Sequence, residues 1–179
     1  RKAAGDIALT YFEAGTLAAW ECCVAANVDA IILEVGLGGR LDATNLYDAD
    51  CAIVTAIDID HAEYLGDTRE AIGFEKAGIY RAGRPAICCD PQPPQSLVDH
   101  AHAIGAPLRL LDRDFGYLNQ ELQWQFWNRK GDATSRRSSL AFPGLRGPVQ
   151  LQNASGVLAA LDALAERLPV AMQDIRRGL

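Results

Sequence analysis

The chain has 179 residues, 49% of them apolar, enough for one domain with a hydrophobic core, and it carries a formal net charge of -6. That acidic balance argues against nonspecific nucleic-acid binding, which needs a basic footprint. Nothing reads as a signal peptide and no apolar run is long enough to span a bilayer, so the expectation is a cytoplasmic protein with neither nucleic acid nor membrane as partner.

The chain opens on "RKAAGDIALT", without an initiator methionine, and closes on "QDIRRGL", which reads as a helix cut short. Both ends suggest a piece of a longer protein. "TYFEAGTLAAWECCVAAN" has apolar residues at helical spacing, and Thr10 and Glu13 are spaced as a capping box. "DAIILEV" (29–35) is a near-continuous apolar run, as in a strand covered on both faces. "DCAIVTAI" (50–57) reads as a second such strand. "DTREAIGFEKAGIYR" (67–81) predicts a helix with Asp67 as its N-cap. "RPAICC" (84–89) follows as a strand, "PPQSLVDHAHAIG" as a helix and "PLRLL" as a short strand. Strands alternating with helices imply an α/β fold with a mostly parallel sheet flanked by helices. After about residue 112 the segments alternate polar and apolar, predicting a small antiparallel β appendage. "LQNASGVLAALDALAERL" (151–168) returns to helix.

Cys22, Cys23, Cys51, Cys88 and Cys89 include no CxxC spacing, so buried reduced thiols are expected and a zinc site is not.

The stretch with most chemistry is "EVGLGGRLDATN" (34–45), directly after the first apolar run. Ligands of open parallel sheets sit at the carboxyl ends of the strands, and glycines there let backbone amides approach them. The plainer alternative is a tight strand-exit turn. The loop is not a dinucleotide fingerprint, since Leu41 takes the third glycine position, and no Gly-Lys pair exists to make a P-loop. The next strand ends in "AIDIDHAEYLG", so Asp58, Asp60 and His61 are expected at the same sheet edge as Glu34, an arrangement that suggests a metal. The "HAH" at 100–102 is discounted as a metal pair, because residues two apart on a helix point in different directions, and His100 and His102 are expected to be solvated helix residues.

These strings, "LTYFEAGTLAAW", "ILEVGLGGRLDATN", "VTAIDIDHAEYLG", "EKAGIYR" and "QNASGVLAAL", resemble the folylpolyglutamate synthase/dihydrofolate synthase family of the Mur-ligase superfamily. The resemblance implies a fragment, with residues 1–179 as part of the central ATP-binding domain. The family's upstream GTNGKGS-type phosphate loop and its C-terminal domain are absent from this sequence. It implies an ATP-dependent ligase that adds L-glutamate to dihydropteroate, to folate, or to both through an acyl phosphate, with the fragment alone inactive. The full-length protein is expected to be a monomer that uses Mg²⁺.

By the same resemblance Glu34 and His61 would ligate metal, and Lys76 would be a carbamylated catalytic lysine. Thr10, Tyr11, Phe12, Glu13 and Leu41 would bind pteroate, and Asn153 would contact the nucleotide. From the residues alone, a solvated helix lysine is the preferred reading of Lys76, while residues 10–13 also read as a helix start and Asn153 as an N-cap. The rival functions are another Mur-type ligase, a carbamyl-lysine metal-dependent amidohydrolase, and a non-catalytic folate-binding fragment.

Overall fold

The computed structural model describes residues 5–179. In chain order its elements are α1 (Tyr11–Ala25), a 3-10 turn (Ala43–Leu46), β1 (Ala52–Val54), α2 (Ala62–Leu65), α3 (Arg69–Ala77), β2 (Ala86–Cys88), α4 (Gln95–Ile104) and β3 (Leu108–Leu110). There follow β4 (Phe115–Asn119), β5 (Trp124–Lys130), β6 (Ala133–Leu140), α5 (Gln150–Ala163) and α6 (Met172–Gly178).

Strands β1, β2 and β3 form a parallel sheet in that order, with Val54 opposite Cys88 and Cys88 opposite Leu110. Side chains alternate across a strand, so the short sheet divides the core in two. Ala52, Val54, Ala86 and Cys88 pack with Ile72 and Ala77 of α3 and Leu97 and Ala101 of α4. Ile87 and Cys89 face the other way, onto Leu158 and Ala159 of α5. There the helix comes so close that a Cβ on Gly156 would lie 2.2 Å from the Cys89 sulfur, so only glycine fits. The antiparallel sheet β4–β5–β6 completes the second core with Phe115, Trp124, Phe126 and Leu140. Each side chain of this size, once buried, contributes about 1.5–3 kcal/mol.

The α/β class, the three parallel strands, the antiparallel appendage and the capping box of α1 are as the sequence predicts. Several local expectations are corrected. Residues 29–35 pair with no strand among the described residues, and Ile32 is 95% exposed. A strand exists only by pairing, and the edge of β1 that faces away from β2 takes no strand among the described residues.

The N-cap of α3 is Thr68, not Asp67: Thr68 is extended and its hydroxyl accepts from the Ala71 amide at 3.2 Å. That helix ends at Ala77, ahead of Gly78, and α5 ends at Ala163.

Of the thiols only Cys88 and Cys89 are buried. Cys22 is exposed, and Cys23 and Cys51 are half-buried. Burial pushes Cys88 up to about 11 and Cys89 up to about 12, so neither is a nucleophile near neutral pH.

Lastly, His100 is not simply solvated. It packs edge-on against Phe74, ring centroids 5.6 Å apart, while His102 is exposed.

Candidate functional site

The glycine loop is held by its own polar side chains. One carboxylate oxygen of Asp42 accepts from the Gly36 and Leu37 amides, both at 3.0 Å. The other accepts from the Thr44 amide at 2.9 Å and its hydroxyl at 2.7 Å. Partial burial alone would raise the Asp42 carboxyl. The bonds from Thr44, Leu37 and Gly36 outweigh it and hold the group below its ordinary range. Arg40 forks onto Glu75 of α3, with Nη2 to Oε1 at 2.8 Å. The Asn45 amide reaches the carbonyls of Arg40 at 3.1 Å and Gly78 at 3.0 Å, and Arg81 closes back onto Asn45 at 2.8 Å.

Glycine is required where loop and helix meet. A Cβ on Gly39 would stand 2.9 Å from the Glu75 carbonyl oxygen and 3.1 Å from that of Lys76. This is the plainer reading the sequence allowed, a tight turn, and it is docked on α3. Arg40 and Asn45 are consumed in docking it to α3 and its C-terminal end, and Asp42 in bracing the loop itself, which leaves Glu34, Leu37 and Leu41 exposed.

Lys76 occupies the last turn of α3, half-buried, with its backbone against Gly39. Glu34 is exposed, and its carboxylate has no hydrogen-bond partner among the described residues. His61 is exposed in a left-handed conformation, φ 51° and ψ 42°, just ahead of α2. That conformation costs a non-glycine residue of order 1 kcal/mol or more and recurs at functional sites.

The expected gathering of Glu34 with Asp58, Asp60 and His61 is not formed. The described residues hold no group of three or more His, Cys, Asp or Glu placed to bind a metal. Asp58 and Asp60 each turn one oxygen to the next amide, those of Ile59 and His61, both at 2.8 Å. His61 Nε2 lies 3.5 Å from Asp60 Oδ2.

Where β1 and β2 end, an open cleft of about 290 Å³ is lined by Ile57, Asp58, Arg69, Asp90, Gln92 and Gln152. Asp90 is 3% exposed and accepts from the Ile57 amide at 2.7 Å, the Gln92 amide at 2.9 Å and Arg69 at 3.0 Å. Arg69 also donates to the carbonyls of Ile57 and, at 2.7 Å, Gln92. The sequence reading missed this pair. The available signal was a carboxylate directly after the buried run "AICC".

At the start of α1 the capping box uses up Thr10 and Glu13. Glu13 Oε2 accepts from the Thr10 amide at 2.7 Å and its hydroxyl at 2.8 Å, and these bonds hold the Glu13 carboxyl below its usual range. Tyr11 is 96% exposed, and the Phe12 ring lies where a Cβ on Gly36 would approach it to 3.2 Å. Thr10, Tyr11, Leu17 and Glu21 help line a cleft of about 760 Å³. Trp20 stacks on Tyr47 at 3.7 Å, tying α1 to the end of the glycine loop. Asn153 is not an N-cap. It is the fourth residue of α5, its own amide donates to the Val149 carbonyl, and it is next to Gln152 of the first cleft.

No family model matches the chain. Individual relatives do. The chain is 45% identical over 177 residues to dihydrofolate synthase/folylpolyglutamate synthase of Escherichia coli strain K12, covering 99% of this chain and 40% of that protein. Its fold matches E. coli FolC in complex with DHPP and ADP with a TM-score of 0.89 at 44% identity, over 99% of this chain and 40% of the other. It also matches the bifunctional folylpolyglutamate synthase/dihydrofolate synthase of Yersinia pestis complexed with AMPPNP and Mn ion, with a TM-score of 0.85 at 43% identity, over 98% of this chain and 40% of the other. The chain thus spans about 40% of the length of these relatives.

Proposed function

We propose, since this chain belongs to the dihydrofolate synthase/folylpolyglutamate synthase family, that residues 1–179 are part of the central ATP-binding domain of a longer glutamate ligase. In that protein a phosphate-loop segment precedes this stretch and a further domain follows it. ATP is the co-substrate, and L-glutamate is joined to dihydropteroate, to folate, or to both. The terminal phosphoryl group of ATP passes to the substrate carboxylate. The glutamate amine then attacks the acyl carbon, loses a proton, and phosphate leaves. No helix among the described residues is long and apolar enough to cross a membrane. As part of the same proposal, the full-length ligase is a cytoplasmic monomer.

Two anions must be brought together, and bound Mg²⁺ supplies the screening charge and polarises phosphoryl oxygens. Glu34 offers a carboxylate free of other bonds among the described residues, a donor that fits a hard divalent cation; the exposed His61 imidazole is an unusual partner for one, so oxygen donors must dominate its shell. Glu34 would hold one ion and His61 a second, with phosphate oxygens completing shells that so few protein ligands leave open. Lys76, as its carbamate, would add a carboxylate toward the second. Tyr11, Phe12 and Leu41, exposed around α1 and the glycine loop, would bind the flat pteroate, with Thr10 and Glu13 fixing the helix start beneath it. Asn153 would contact the nucleotide.

The match in sequence and fold along almost the whole chain is what most supports this reading. The test is to supply the purified full-length protein with Mg-ATP, dihydropteroate and L-glutamate. The expected product is heavier by one glutamyl residue, with one phosphate released per amide. ATP-independent hydrolysis of a glutamyl amide, with no ligation, would instead favour the amidohydrolase.

A further inference from the structure

Residues 57–69 form a loop closed at its ends, and His61 lies within it. The closure is made by one residue pair. Ile57 is 1% exposed, and both of its backbone polar groups are taken: its amide by Asp90 and its carbonyl by Arg69. Asp90 sits just past β2, so the same contacts join the exits of two neighbouring strands, where ligands of parallel sheets bind. From Ile57 the chain reaches His61 in four steps, and two are stiffened by the Asp58–Ile59 and Asp60–His61 bonds. Beyond α2 it returns to Arg69 at the first turn of α3. The next residue, Glu70, accepts from the Gln95 and Ser96 amides at the start of α4, so the helix bearing Arg69 is itself anchored.

A buried carboxylate paired with a guanidinium is a poor source of stability, because desolvation offsets much of the attraction. A pair that holds both backbone polar groups of one residue does supply position. We propose that Arg69 and Asp90 are positioning residues for metal binding: they clasp the 57–69 loop and thereby set where His61 presents its imidazole. The proposal rests on the assignment of His61 as a metal ligand above, and its test separates the two.

The experiment titrates Mn²⁺ into the full-length protein in the presence of ADP, following free Mn²⁺ by electron paramagnetic resonance, so that no turnover is needed. Arg69→Met removes the fork. The matched control is Arg84→Met, which removes an ion pair to Asp50 at the opposite edge of β1 and β2. Both variants should melt at a lower temperature. Arg69→Met should weaken Mn²⁺ binding about tenfold or more, while Arg84→Met stays within about twofold of wild type, as expected when a group that orients a ligand is lost. Arg69→Lys keeps the charge but cannot span both Ile57 and Asp90, so it should also bind weakly, and it carries the test if Arg69→Met does not fold. Wild-type Mn²⁺ affinity in both Arg69 variants, with His61→Ala impaired, would reject the clasp and leave the metal assignment standing. Wild-type affinity in His61→Ala would remove the assignment and the proposal with it.

Discussion

Residues 5–51 and residues 52–179 are built on different principles. In the first stretch only two residues are buried, Gly39 and Thr44, and α1 buries none of its fifteen. The second holds both apolar cores and both sheets. Yet most of the residues assigned to substrate and metal lie in the first. What orders that stretch is a set of directed bonds: the Thr10–Glu13 capping box, the four bonds of Asp42, the Arg40–Glu75 fork and the Trp20–Tyr47 stack. Directed bonds fix an exposed geometry at a small net gain in stability, which suits a surface meant to meet ligands.

Substitutions that separate chemistry from stability sharpen this contrast. The largest effect is expected from Glu34→Gln in the full-length protein. Glu34 is exposed and bonded to none of the described residues, so its loss should leave the melting temperature unchanged. Removing a metal ligand should lower the ligation rate roughly a hundredfold or more. Near-normal turnover at saturating Mg²⁺ would undo the assignment.

At the seam between the regions, Gly39→Ala should act the other way. Two of the atoms its Cβ would meet are backbone carbonyl oxygens of α3, which cannot swing aside. A loss of about 1–3 kcal/mol is expected from such overpacking, read by denaturant unfolding. Unchanged stability would mean the loop is not docked on α3.

The smallest effect concerns pH. Asp42 has a folded-state pKa below its ordinary value near 3.8. A depressed carboxyl stabilises the fold above its unfolded pKa, and that contribution fades as pH falls through the folded value. Asp42→Asn should therefore be less stable than wild type at neutral pH, and the two should converge in acid. Parallel stability profiles down to about pH 2 would contradict the bonding described for this carboxylate.

The legibility of the sequence follows the same division. The strands β1 to β3, the helices between them and the α1 cap could be read locally, because apolar runs and capping spacing are local signals. The 29–35 run could not be read that way, since being a strand depends on a neighbour. The glycine loop was found, but not the use of its residues. Glu75 is 35 positions from Arg40 and Asp90 is 33 from Ile57, so nothing in the string announces either partnership. Glu34 and His61 were singled out by their places after apolar runs and Lys76 by resemblance alone, and Thr68 displaced Asp67 as the cap through backbone conformation at one residue.

The most direct test of the ligase assignment follows a single oxygen atom. The full-length protein would be given dihydropteroate labelled with ¹⁸O in its carboxylate, together with unlabelled Mg-ATP and L-glutamate, and the released phosphate analysed by mass spectrometry. If the carboxylate is phosphorylated and the amine then expels phosphate, one labelled oxygen appears in each phosphate formed. Amide product accompanied by unlabelled phosphate would contradict the account.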